Sequence, residues 1–382
     1  PVRPDIQLDQ APELVKRAVD ARDGARYIWQ ELIAPYLRQT YDDTLAAATA
    51  DGGADLLISH MVTSMAPLVA EKTGIRWISS VLFPMVFLSA YDPPALAPLP
   101  FLRTIAAIHP VVARALFALG KRSVRSWMAP VAELRKELGL PPGKNPIFEG
   151  QHSPELVLAL FSEVLSGLQP DFPPNTRITG FPFYDQEPDR QCAPELLRFL
   201  DSGEPPILFT LGSSAVWVAE DFYRTSIEAA RRMNKRALLL IGSRGNLPSG
   251  ELPASVAAFD YIPYHSVMPR VSCIVHQGGI GTTGQALRAG KPMLVMPFGH
   301  DTVDNARRCT GLGVGLTLSR KNYRVNRVVE VLSELLGNTA YQKAAERTGR
   351  QVREETGTVT ACNEIEKIGV RLVNSLFREH TK

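Results

Sequence analysis

The chain has 382 residues, 45% of them hydrophobic, which is enough for a substantial core and for two domains. Its 42 Lys and Arg stand against 39 Asp and Glu, and a net charge of +3 is too small at this size to point to nucleic acid. Four cysteines (Cys192, Cys273, Cys309, Cys362) lack C-x-x-C spacing and read as free thiols in a reducing compartment, and no uninterrupted apolar run reaches the roughly eighteen residues that argue for a membrane-crossing helix.

The start at Pro1-Val2-Arg3-Pro4 carries no basic-then-apolar signal pattern. Leu56-Leu57-Ile58 is the first compact apolar run, ending in Ser59-His60. A helix is predicted from there to about Lys72, stopped by Gly74, and residues 76–82 read as the next strand. Short, nearly continuous apolar strands separated by helices indicate a parallel sheet covered on both faces. From Phe101 to Leu138 the pattern turns helical. Leu102, Ile105, Ala106, Val112, Ala115, Leu116 and Leu119 recur at helical spacing, which predicts a core-facing helix pair with Lys121, Arg122 and Arg125 as its solvated edge. The alternative is a surface that docks a lipid-like acceptor or a membrane face.

Pro141-Pro142-Gly143 closes that region, and residues 155–161 give a further strand. Residues 171–187, with Pro173-Pro174 and Gly180-Phe181-Pro182-Phe183-Tyr184, have the composition of a linker or a domain edge. The alternation then restarts. Strands are predicted at 207–211, 237–241, 272–276, 293–298 and 314–318, with helices between them and a helical tail to about residue 378. No solenoid-type repeat is present, and two α/β domains account for the pattern.

Ligands of open parallel sheets bind beyond the carboxyl ends of the strands, so the chemistry is sought at strand-to-helix turns. The strongest is His276-Gln277-Gly278-Gly279-Ile280-Gly281-Thr282-Thr283, where an apolar strand runs into three glycines and a helix. Glycines admit a ligand close to the backbone, and the unpaired N–H groups of a first helical turn can cradle a phosphate. The helix dipole gives an exposed charge only about 0.3–1 kcal/mol. Direct bonds must carry the rest, and His276 and the Thr282 hydroxyl are candidates to donate them, at about 1.5–3 kcal/mol each. The competing reading is a turn needed only for close strand–helix packing. A weaker turn, Thr210-Leu211-Gly212-Ser213-Ser214, could approach the same phosphates. A third, Pro297-Phe298-Gly299-His300-Asp301-Thr302, offers Asp301 to sugar hydroxyls or as a helix cap.

The run from Asp260-Tyr261-Ile262-Pro263-Tyr264 through the His276 turn to Asp304-Asn305-Ala306 resembles the donor-binding signature of family 1 GT-B glycosyltransferases. It is most similar to bacterial members that act on lipids, sterols and macrolides and to rhamnolipid-type enzymes. The ordered match is His-x-Gly-Gly-x-Gly-Thr-Thr, Ala-Leu-Arg-Ala-Gly-x-Pro-Met, Pro-Phe-x-x-Asp and Asp-Asn-Ala. Weaker similarity covers Ser89-Ala90-Tyr91-Asp92-Pro93-Pro94 and Gly180-Phe181-Pro182.

The resemblance implies an α/β GT-B fold, two Rossmann-like domains with a cleft between them. Residues 1–180 would form an acceptor domain, 181–360 a donor domain, and 361–382 a helix packing back on the first. It implies that His276 contacts the donor diphosphate and that Gly278, Gly279, Gly281 and Thr282 face the phosphates. Gly212 and Ser213 would flank them, Ile262 would lie beside the nucleobase, and Asp301 and Thr302 would face the sugar. Thr302 stands where many glucosyl-transferring members have Gln, which leaves room for a deoxysugar such as rhamnose. Tyr264 likewise replaces a common Gln, so base recognition is expected to differ.

The implied activity is inverting, metal-independent transfer from a UDP- or dTDP-sugar to a hydroxyl of a small hydrophobic acceptor, without a bound cofactor and without an Asp-x-Asp motif. A cytoplasmic monomer or homodimer is expected, with peripheral membrane contact as a further option. Family members open with a strand, a Gly-rich turn bearing the catalytic His, and a helix. No His precedes His60 here, so an upstream segment is expected and the catalytic base stays unassigned. His60 is a candidate to line the acceptor site, or else caps the following helix or packs in the interdomain cleft. The rival functions are an inactive nucleotide-sugar-binding relative or helper, and a nucleotide-sugar epimerase.

Overall fold

The computed structural model describes residues 11–97, 99, 101–185 and 192–379. The start at Pro1 and the last two residues of the linker read from the sequence lie outside them. Two parallel sheets organise the chain. The first holds β1 (Leu56–His60), β2 (Arg76–Val81), β3 (Leu156–Ala159) and β4 (Thr176–Ile178), in that order. The second holds β5 (Ile207–Thr210), β6 (Ala237–Leu240), β7 (Val256–Phe259), β8 (Cys273–His276), β9 (Met293–Val295) and β10 (Gly315–Thr317). Its spatial order is β10-β9-β8-β5-β6-β7.

These strands read as continuous apolar runs because both faces are covered. In β5 every residue is buried. Ile207 and Phe209 join a core with Leu239, Val275 and Leu294, backed by Val328 and Leu332 of the helix Val325–Gly337. Leu208, between them, joins Leu238, Ile274 and Met293 on the opposite face. Each such side chain contributes about 1.5–3 kcal/mol when fully buried, so the sheet position is fixed from both sides. The helix Ala66–Thr73 ends at Gly74, whose φ of +78° makes the left-handed stop that its glycine allows.

The structure departs from the sequence reading in several places, among them the unpredicted strand β7. The stretch read as a linker contains β4, an edge strand preceded by Pro173-Pro174, the position in a sheet where proline is tolerated. The strands read at 293–298 and 314–318 shrink to three residues each. The region from Phe101 breaks into helices Leu102–Ala106, Pro110–Ser123 and Ala129–Glu137. Pro110 sits at the first turn of the second helix, and His109 Nδ1 accepts the Val111 N–H there. The first two of these helices turn only part of their apolar face inward, with Leu116 and Phe117 packed against Ala90, Ala106 and Ala113. Only Ala106 and Ala113 are fully buried, while Ile105 is 41% and Leu119 66% exposed.

The final helix, Gly357–Glu379, begins after the second sheet yet lies on the first. Ile365 and Ile368 pack against Ile78, Leu156 and Leu158, and Arg76 donates to the Ile368 carbonyl at 3.0 Å. A buried charge cluster joins the halves at a second place. Asp304 is fully buried, accepts the Ala95 N–H at 2.9 Å and pairs with Arg308 at 2.6 Å and Arg307 at 3.0 Å. Arg308 in turn reaches Asp92 at 2.5 Å and the Leu165 carbonyl at 2.8 Å. Burial alone would raise the Asp92 pKa, but Arg308, Arg307 and Ser166 hold it below the ordinary carboxylate value.

Candidate functional site

In the second sheet β5, β6 and β7 run outward one way, and β8, β9 and β10 the other. The order reverses between β5 and β8, the switch point at which open parallel sheets bind ligands. The three turns singled out in the sequence follow β5, β8 and β9, so they share one edge of the sheet. Gly212 (φ +65°) lies so near the β8 turn that a methyl group there would stand 2.3 Å from Gln277 Nε2 and 3.3 Å from Thr282 Oγ1. Ser213 is exposed beside it.

The helix Ile280–Ala289 starts from Gly279 without a side-chain cap. Its first N–H groups are therefore left for a ligand or water. Gly281 is exposed, and a methyl group there would meet nothing within 4 Å, so the open side of the turn is at this residue. Gly278 is different. Its φ is +87°, and a methyl group would lie 2.9 Å from both the Thr302 carbonyl oxygen and Val295 Cγ1.

His276 is fully buried. Its Nδ1 accepts the Gly278 N–H at 3.1 Å, which places the ring proton on Nε2, 3.4 Å from the Met293 sulfur. Burial pushes its pKa down to about 3, so the ring is neutral. The ring expected against the diphosphate is thus turned into the core in this conformation, where it braces the turn. Its tight geometry follows from Gly278, whose left-handed backbone points the N–H back at the imidazole.

Gln277 was given no role from the sequence, yet it fills the space between two of the turns. Its Nε2 lies under Gly212 and Gly279, and its Oε1 is buried without a hydrogen-bond partner among the described residues. Asn305 is the second such residue. Its Nδ2 donates to the Gly278 carbonyl at 2.9 Å and to Asp301 Oδ2 at 2.8 Å, tying the β8 turn to the β9 turn. Both stand inside the quoted motifs, and the signal was the motif's amide residues, whose bridging only the fold displays.

Asp301 opens the helix Asp301–Gly311 as its first residue, with His300 at the cap position. Its carboxylate meets the Asn305 side chain, so it is not a simple cap for its own helix. Burial raises its pKa to about 6, a shift that His300 and Asn305 only partly offset. His300 takes a left-handed φ of +52° and bonds through Nε2 to the Ala18 carbonyl at 2.5 Å, so the segment around Pro12–Ala18 lies against this turn. Thr302, read as a sugar-facing residue, spends its hydroxyl locally. It accepts the Phe298 N–H at 3.1 Å and donates to the Gly299 carbonyl at 2.7 Å, so the side chain closes its own turn.

Of the two residues linked to base recognition, Ile262 is buried and Tyr264 half-buried. Ile262 is 2% exposed and belongs to the core, which leaves only its backbone to read a base. Tyr264 lies beneath the turns, half-buried. Its hydroxyl bonds Thr210 Oγ1 at 3.0 Å and also meets the Thr282 hydroxyl. The Gln-to-Tyr difference therefore alters the floor of the phosphate turns, and the Thr282 hydroxyl is already engaged there. His60 ends β1, and its Nδ1 accepts the Val62 N–H at 3.3 Å; burial lowers its pKa.

In the first half a cavity of about 1170 Å³ runs between the sheet and the helix Pro110–Ser123. Trp77, Phe87, Phe117 and Phe172 line it, with His152. Phe87 stacks on Phe172 at 4.1 Å and on His152 at 5.4 Å. Burial lowers the His152 pKa to about 4, and its Nδ1 is buried without a partner among the described residues. No motif marks this group, because its members come from separate segments of the chain. At one end the cavity meets Ala90 and Asp171, which are bonded to each other at 2.7 Å beside the Asp92–Arg308 pair.

Residues 226–372 match the profile of the erythromycin biosynthesis protein CIII-like C-terminal domain. The chain is 33% identical over 271 residues to the O-mycaminosyltylonolide 6-deoxyallosyltransferase of Streptomyces fradiae, a match that covers 69% of this chain. It spans 62% of that relative's length. Among solved structures, the glycotransferase of kitacinnamycin superposes with a TM-score of 0.65 at 21% identity, covering 95% of this chain and 83% of that one. The spinosyn rhamnosyltransferase complexed with thymidine diphosphate gives 0.61 at 16% identity, covering 93% and 84%. Both are two-domain GT-B folds, as is this one. The profile match, these relatives and the architecture support a family 1 GT-B glycosyltransferase.

Proposed function

We propose that the chain serves an inverting transfer of a sugar, from a dTDP- or UDP-linked donor, to a hydroxyl of a small hydrophobic acceptor. The reading rests on one observation. The uncapped start of the helix Ile280–Ala289, with its open face at Gly281, lies at the sheet's switch point between the Gly212-Ser213 turn and Asp301. The diphosphate takes on charge as it leaves, and fixed backbone N–H donors are already oriented toward that charge. A base removes the acceptor proton while the acceptor oxygen attacks the anomeric carbon from the face opposite the departing diphosphate.

Within this scheme His276 acts through the turn. A neutral ring that accepts the Gly278 N–H keeps the following N–H groups aimed outward. Asp301 receives a sugar hydroxyl. With the Thr302 hydroxyl spent on its own turn, the site offers the sugar one polar group fewer than a glutamine would, which favours a deoxysugar. The relative solved with thymidine diphosphate favours dTDP as the nucleotide. The aromatic cavity beside the first sheet seats the acceptor, and the unpartnered His152 Nδ1 accepts one of its hydroxyls.

Calorimetric titration with dTDP and with UDP, both in EDTA, tests the donor half. One nucleotide should bind without added metal, and His276→Ala should weaken it at least tenfold by loosening the turn. Binding of neither nucleotide would remove the basis of the proposal. The sugar contact has its own signature. A hydroxyl donates best to the ionised Asp301, so the advantage of nucleotide sugar over bare nucleotide should fall as pH drops through about 6. Asp301→Asn should flatten that profile, and an unchanged profile would take the sugar away from Asp301.

A further inference from the structure

Residues 93–132 contain five Lys and Arg and no Asp or Glu. The same stretch holds several of the most exposed large apolar side chains among the described residues. Ile108 is 74% exposed, Leu119 66%, Val111 60% and Phe101 59%. Single exposed apolar residues are ordinary, but a contiguous group marks a contact surface. The packing explains why they face outward. The inward face is made by Ala106 and Ala113 with Leu116 and Phe117, which leaves Ile108, Val111 and Leu119 exposed. On Pro110–Ser123, Val111, Leu119 and Arg122 follow one stripe at helical spacing.

We propose that this face docks on an anionic lipid surface. Phe101, Ile108 and Leu119 enter the boundary of the acyl region, and Arg122 and Arg125 lie on the headgroups. Both arginines are exposed and form no ion pair among the described residues. The charge pattern selects lipid over a second copy of the chain. A two-fold dimer brings a patch against itself, and here that would oppose Arg122 and Arg125 with their like, the neighbouring acid Glu149 being already paired with Lys121. Anionic headgroups supply the missing charge. No helix among the described residues is long and apolar enough to cross a membrane, so the contact is interfacial, an apolar face flanked by basic residues.

Co-sedimentation with vesicles tests this, using phosphatidylcholine alone and phosphatidylcholine mixed with phosphatidylglycerol. The chain should bind the mixed vesicles at least tenfold more tightly, and salt should weaken that binding. Ile108→Asp with Leu119→Asp should abolish it. Arg122→Glu with Arg125→Glu should weaken it by about fivefold per arginine or more. All four positions are solvent-facing, so circular dichroism and melting should not change. Val359→Asp, at another exposed apolar residue, should bind as the parent does. Three results would overturn the proposal: no binding to the mixed vesicles, binding that Ile108→Asp with Leu119→Asp leaves intact, or a dimer in sedimentation velocity that those substitutions dissolve.

Discussion

Alanine at Gly278 will lower stability by about 2–5 kcal/mol, the sum of a left-handed backbone and an overpacked contact, and will weaken nucleotide binding at least tenfold. The φ of +87° is the first cost. The second is steric, because the new methyl would lie 2.9 Å from the Thr302 carbonyl oxygen and from Val295 Cγ1. The carbonyl is backbone and belongs to the turn that the Thr302 hydroxyl closes, so relief must move the start of the helix that carries Asp301. Gly281→Ala makes the contrast. It meets nothing within 4 Å, and alanine in a helix is favoured over glycine by up to about 1 kcal/mol. That variant should melt at or above the parent temperature while losing nucleotide affinity, because the methyl occupies the space proposed for the diphosphate. Melting curves and calorimetry on both variants separate folding from binding. If Gly281→Ala binds as the parent does, the diphosphate does not approach this turn.

The donor turns were legible in the sequence for the same reason that Gly278 is sensitive. A left-handed backbone and close approach demand glycine, so the requirement is written as a residue type. The strands of the second sheet were legible because burial on both faces leaves unbroken apolar runs, as in Ile207-Leu208-Phe209. Orientation was another matter. The spacing of Ile105 and Leu119 says that a helix has an apolar face, but nothing in periodicity says what covers it, and here little does. The missed strands are short and marginal. β4 has three residues behind two prolines, and β7 lies at the sheet edge, mostly half-buried. His276 shows the remaining gap. The motif names the residue, but a rotamer that spends Nδ1 on Gly278 and buries the ring depends on where β9 brings Met293.

Asp304→Ala should cost about 3 kcal/mol, the lower end of the range for breaking a buried ion pair. Asp304 is fully buried and makes three contacts at once: both neighbouring guanidiniums and the Ala95 N–H. Alanine leaves that N–H unanswered and strips one side of Arg308, whose side chain is 4% exposed. The lower end applies because Arg308 keeps Asp92 and the Leu165 carbonyl. Asp92 adds a pH test with a definite sign. Its folded pKa is held below the ordinary value of 3.8, so its contribution is present above that value and lost as pH falls through the folded pKa. Asp92→Asn should therefore lose stability at neutral pH and show a flatter acid limb than the parent. Melting as a function of pH reads both variants, and a parent-like melt for Asp304→Ala would show that the cluster does not hold the halves together. The cluster also has a functional reach. Asp304, Arg307 and Arg308 share a helix with Asp301, so the contact that fixes the loop at Asp92 also fixes the residue proposed to meet the sugar. Loss of Asp304 should consequently weaken nucleotide-sugar binding more than binding of the bare nucleotide, a difference that global destabilisation alone does not produce.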